Sequence, residues 1–167
     1  MFRRRSEIPI SVTWADFASS EPEFASSVRD RFESHRHGVI ATLRHDGAPR
    51  LSGIETPIRD GHLWLAMETA SRMAQDLRRD PRFSIHSAPD REDLSQGDAR
   101  FEGRVAPALD SEYALFARGH RFPIEDTSAM ALFTTHITRV VLVRVEKPSL
   151  LVVSWTPDGG MKVTRLP

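Results

Sequence analysis

In METASRMAQDLRRDPRFSIHSAP, Met67 to Pro89, Thr69, Ser71 and Arg72 stand just ahead of Met73, Ala74 and Leu77, which share one helical face. The first turn of a helix leaves backbone N–H groups unpaired and carries partial positive charge. A serine hydroxyl and a guanidinium added there can hold a phosphate. A plainer reading makes Thr69 or Ser71 a helix cap and Arg72 a solvated surface residue, and the residues alone leave both open. In PRLSGI, Arg50 follows a proline at a strand start, and Ser52-Gly53 removes bulk where a planar group could approach the backbone. Two Arg–Ser pairs at the ends of neighbouring strands together suggest a shared anion site. Alternatively, Arg50 faces solvent and Gly53 marks a bulge.

Other chemistries find less support. There is no cysteine, which excludes disulfides, a thiolate nucleophile and Cys-ligated metals. Of the seven histidines, His35 and His37 flank Arg36, and none is spaced as a metalloprotease pair. They read as surface or strand residues. His86 beside Ser87 is the exception to watch, because it lies in the strand after the anion-type helix. Trp155 could cover a ring system but reads first as core. No nucleophile elbow, dinucleotide fingerprint or Walker loop occurs, and no carboxylates are spaced as an acid–base pair.

The elements that would position these groups are mostly strands. Asp46-Gly47, Asp60-Gly61 and Asp158-Gly159 each separate strand-like runs, and Asp-Gly suits tight hairpin turns. Residues 38–67 therefore predict an antiparallel meander of three strands. Residues 71–79 predict a short helix, 82–88 and 99–106 two further strands, and 89–98 a polar loop that could shape access. TRVVLVRVE and LLVVSW, rich in β-branched residues, predict the closing strands. Residues 1–20 read as an arm with Trp14 and Phe17 as docking points, followed by a single domain over 21–167. Ser20 is expected to cap a helix carrying Phe24, Val28 and Phe32 to about Ser34. Asp110 is expected to cap another that ends near Gly119, and a helical turn is expected around Ser128–Phe133. About seven strands with three or four short helices define a mostly β fold, an antiparallel barrel or sandwich.

The 167 residues suffice for one domain, 40% are hydrophobic and 28% charged, and 23 basic residues balance 23 acidic ones. That balance gives no pull toward nucleic acid or an anionic membrane. No run approaches a membrane span or a signal peptide, so a soluble cytoplasmic protein is expected.

In order, GVIATLRHDGAPRLSGIE, DGHLWLAM, SRMAQDLRRDPRFSIHSAP and ARFEGRVAP resemble the pyridoxamine 5'-phosphate oxidase-like, FMN-binding split-barrel proteins over about residues 24–146. The resemblance implies a split β-barrel homodimer with FMN at the interface and a small-molecule substrate. It implies that Arg50, Leu51, Ser52 and Gly53 touch the flavin. Met67, Glu68 and Thr69 would line it, Ser71 and Arg72 would take its phosphate, and His86 and Ser87 would sit where the partner subunit reaches the cofactor. The implied activity is an FMN-dependent oxidoreductase. The alternatives are a deazaflavin-coenzyme reductase or a non-catalytic member that binds flavin weakly.

The sequence departs from this pattern at two positions. Flavin-binding members commonly carry Lys after the Ser–Arg pair, where Met73 stands, and the full oxidases carry Lys at the position of Glu55. A hydrogen bond to a charged group contributes roughly 1.5–3 kcal/mol, about ten- to a hundredfold in affinity. Met73 then either packs with Leu77, leaving the cofactor more loosely held, or marks a changed ligand. Glu55 would repel a phosphate unless it faces away or pairs with an arginine.

Overall fold

The computed structural model describes residues 10–88, 95–119, 124 and 126–167. Helix α1 (Trp14–Ser20) opens on a reciprocal cap: the Thr13 hydroxyl accepts from the Asp16 N–H, and the Asp16 carboxylate accepts from the Thr13 N–H. Its Trp14 and Phe17, the expected docking points, are buried in the main core. Helix α2 (Pro22–Glu33) buries Phe24, Val28 and Phe32, as their spacing predicts. Its N-cap, however, is Glu21. Ser20 closes α1 instead, its hydroxyl donating to the Phe17 carbonyl.

Strands β1 (His37–Leu43) and β2 (Pro49–Glu55) form a hairpin around Asp46-Gly47, with Gly47 at φ +84°. The expected third strand of a meander does not join them. Pro57 interrupts the ladder, and the two-residue β3 (Ile58–Arg59) pairs through the Asp60-Gly61 turn with β4 (His62–Glu68). β4 then pairs with β7 (Met130–Glu146), not with β2. Between them come α3 (Arg72–Arg79), β5 (Arg82–His86), β6 (Asp98–Pro107) and α4 (Asp110–Arg118). β8 (Ser149–Thr156) and β9 (Gly160–Leu166) close the chain as a hairpin. In that turn the positive φ falls on Gly160 rather than on Asp158-Gly159.

The antiparallel order is β2-β1-β5-β6-β7-β4-β3, with β8 and β9 extending from β7. β2 runs beside β4, but no ladder joins them among the described residues, so the barrel is split along that line. The described residues form nine strands where about seven are expected from the sequence. The helical turn expected at Ser128–Phe133 is absent: Met130 already begins β7, whose first half pairs with β4 and whose second half pairs with β8. Asp110 is the first residue of α4 rather than its cap, and Glu112 accepts from the Leu109 N–H at 2.6 Å. The core runs from α1 and α2 across the strands to Trp155, which lies 4.8 Å from Phe17. Of the loop expected at 89–98, residues 89–94 lie outside the described residues. Among the described residues no helix is long and apolar enough to cross a membrane.

Candidate functional site

α3 leaves the end of β4 through a turn fixed by backbone and hydroxyl bonds. The Thr69 N–H donates to the Ala129 carbonyl, the Thr69 hydroxyl to the Ser128 carbonyl, and the Ser71 N–H to the Glu68 carbonyl. Ser71 is the N-cap, its hydroxyl oxygen accepting from the Ala74 N–H at 3.1 Å. The backbone N–H groups of Arg72 and Met73 donate to nothing among the described residues. The Arg72 side chain is exposed and pairs with no carboxylate among them. Met73 turns inward and packs against the core that contains Leu77. Among the described residues the first turn of α3 therefore presents two unbonded amides, a hydroxyl and a cation with no carboxylate partner.

Arg50 reaches the same helix from β2. Its Nε donates to Asp76 Oδ2 at 2.7 Å. The hydroxyl of Thr42, its cross-strand partner, donates to that oxygen at 3.0 Å, and Arg79 donates to Asp76 Oδ1 at 3.1 Å. Asp76 is only 3% exposed. Burial pushes its carboxyl up, but the bonds from Arg50, Arg79 and Thr42 and the Arg50 charge outweigh this and hold it below the usual carboxylate value.

The remaining predicted residues spread over two faces. Leu51 and Gly53 point outward from β2, where Leu51 is 71% exposed, and Ser52 lies on the opposite face with Arg50. His86 is the cross-strand partner of Val39. Its Nδ1 donates to the Ser87 carbonyl at 2.6 Å, and its Nε2 lies 3.4 Å from Asp98. The Ser87 hydroxyl is buried and accepts from the Ala99 N–H, pinning β5 to β6.

A cavity of about 590 Å³ opens where the barrel splits. Its walls are Ala66, Met67 and Glu68 of β4, Phe116 of α4 and Gly119 just past it, Met130 of β7 and Ala129 just before it, and Arg36, Glu55, Pro57 and Arg59. Met67 and Glu68 are the predicted residues that line it, and they run directly into the α3 turn. Glu55 does pair with an arginine: Arg36 Nη2 stands 2.8 Å from its carboxylate, and His37 lies 3.9 Å away. Its charge is thereby compensated within the cavity wall. Sequence reasoning missed Asp76, Thr42, Arg79 and Arg36. Asp76 lies four residues from Arg72 and three from Arg79, but its partners on β1 and β2 are distant in sequence. The described residues contain no cluster of metal-ligating side chains.

An open-sided antiparallel split barrel, with an anion-receptive helix turn following β4 and a cavity of mixed apolar and charged lining along that strand, is the architecture these observations define. The model of the pyridoxamine 5'-phosphate oxidase family matches residues 24–146, and the chain belongs to that family. No curated protein sequence matches it. Among solved structures it resembles PhzG from Burkholderia lata 383 in complex with tetrahydrophenazine-1-carboxylic acid, with 14% identity, 92% of each chain covered and a TM-score of 0.65. It also resembles a pyridoxamine 5'-phosphate oxidase-related, FMN-binding protein from Nostoc punctiforme PCC 73102, with 14% identity, 88% of this chain and 96% of that one covered, and a TM-score of 0.61. A heme-binding protein from Mycobacterium smegmatis shares 16% identity over 84% of this chain and 87% of its own, with a TM-score of 0.58. These likenesses establish the shared split-barrel fold.

Proposed function

We propose that this protein is a flavin-dependent oxidoreductase that binds FMN as a homodimer. The reading rests on the α3 turn, where the exposed Arg72 and the N–H groups of Arg72 and Met73, unbonded among the described residues, follow directly on Met67 and Glu68 of the cavity wall. These groups fit a phosphate monoester. Ser71, Arg72 and Arg50 would hold the phosphate, while Met67, Glu68 and the Arg50–Gly53 strand would border the ring. FMN supplies hydride acceptance and donation when bound, and the protein supplies position and electrostatics. This division of labour accounts for the lack of an acid–base pair in the sequence. The inward packing of Met73 and the Arg36–Glu55 pair support the reading, because neither departure from the family pattern adds an uncompensated negative charge or a bulky obstacle.

The dimer reading is supported by the outward face of β1 and β2. Val39 and Leu51 are exposed there, opposite Gly53 and Ala41 respectively. Such an apolar stripe suits a second copy of the chain. Sedimentation should give a dimer mass, and Leu51→Glu should shift it toward the monomer.

Titration with FMN tests the main claim. Micromolar binding that weakens roughly tenfold in Arg72→Ala is expected, the loss of one charge-assisted bond. Binding unaffected by Arg72→Ala would place the phosphate elsewhere.

A further inference from the structure

The bonding of Asp76 leaves an unused feature on Arg50. An arginine paired with a carboxylate ordinarily uses two nitrogens against two oxygens. Here Asp76 Oδ1 is taken by Arg79, and Oδ2 is shared by Arg50 Nε and the Thr42 hydroxyl. Arg79 is anchored further by donating to the Leu43 carbonyl. Arg50 is thus gripped through Nε alone, and its two terminal nitrogens donate to nothing among the described residues. Among the described residues one carboxylate faces two guanidiniums, so a positive charge is left over there. Helical spacing puts Arg72, Asp76 and Arg79 along one side of α3, so that surplus lies on the same side as the exposed Arg72.

We infer that Asp76 and Arg79 are positioning residues that set Arg50 as an anion-binding fork for a phosphate monoester. The inference rests on the flavin reading above and deepens it: neither residue touches the ligand, and Arg79 acts by occupying the oxygen on which Arg50 would otherwise close. A free Asp76 Oδ1 lets Arg50 turn to a two-point contact with Asp76 and withdraw its terminal nitrogens. Purely structural ion pairs would show no preference for a phosphorylated ligand.

The test compares FMN with riboflavin, which has the same ring and no phosphate, by calorimetry on the full chain. Arg79→Met is expected to lower the FMN-to-riboflavin affinity ratio roughly tenfold, and Arg79→Lys to restore it by again occupying Oδ1. Should Arg79→Met fail to fold, Arg79→Ala gives the same reading, since it too leaves Asp76 Oδ1 free for Arg50. A ratio unmoved by the folded variants would overturn the inference and leave the flavin reading standing. Phenyl phosphate, followed by phosphorus NMR, separates the reverse case. Wild-type protein that ignores FMN but binds phenyl phosphate, with that binding weakened in Arg79→Met, would remove the flavin and support the fork. Wild-type protein that binds neither phosphate would overturn both.

Discussion

The guanidinium of Arg59 lies across Gly119, so close that a Cβ at that position would stand 2.6 Å from Nη1 and 2.9 Å from Cζ. Arg59 donates from Nη2 to the Phe116 carbonyl at 2.7 Å and sits 4.7 Å from the centroid of that ring. It therefore fastens the C-terminal end of α4 to β3 and fixes one wall of the cavity. The requirement at residue 119 is for space, since its φ is an ordinary −94°. Gly119→Ala should push Arg59 off both contacts and cost about 1–2 kcal/mol, read from the denaturant midpoint. An unchanged midpoint would show that the guanidinium moves aside freely.

Phe17 is fully buried, with Trp14, Phe24 and Trp155 rings 4.8–5.7 Å away. Helix α1 is therefore held by the same core as the barrel. Phe17→Ala should cost about 3–5 kcal/mol, the range for emptying a buried aromatic site. A loss below about 1 kcal/mol would mark residues 14–20 as a detachable arm.

Acid should weaken the fold through Asp80. The Arg82 guanidinium hydrogen-bonds this carboxylate and, against partial burial, holds its pKa at about 2, with help from the Arg82 N–H and the Arg82 and Arg104 charges. A carboxylate depressed in the folded state contributes stability that is fully present above its ordinary value of 3.8 and is lost as pH falls toward 2. Because Arg82 is well exposed, solvent screening reduces the contribution to about 1 kcal/mol. Asp80→Asn should flatten the decline in melting temperature between those pH values. An identical decline in the variant would assign the acid sensitivity to other groups, Asp76 first among them.

How much of this could be read in the sequence depended on the range of the interactions. The Asp46-Gly47 and Asp60-Gly61 turns, the Ser71 cap and the Phe24, Val28, Phe32 stripe are local, and each forms as its residues predict. The Ser128–Phe133 region misled because Ala131 to Thr135 are all buried. A strand covered on both faces lacks the alternation that separates it from a buried helix. The partner of β4 was illegible for a related reason: Pro57 breaks the local ladder, and β7 lies some seventy residues downstream, Trp64 pairing with Thr134. At the site, Ser71 and Arg72 were visible as a motif. The Asp76 grip on Arg50 was not, because it joins residues 26 positions apart through the β1–β2 register.

The visible spectrum of the untreated purified protein tests the central claim most directly. The expected result is the blue absorbance of an oxidised flavin, bleached on reduction, with FMN released on denaturation and rebound at micromolar concentration. A deazaflavin spectrum would keep the α3 phosphate site and change the ring. Colourless protein that binds FMN more weakly than about 1 mM, or a heme spectrum in its place, would contradict it.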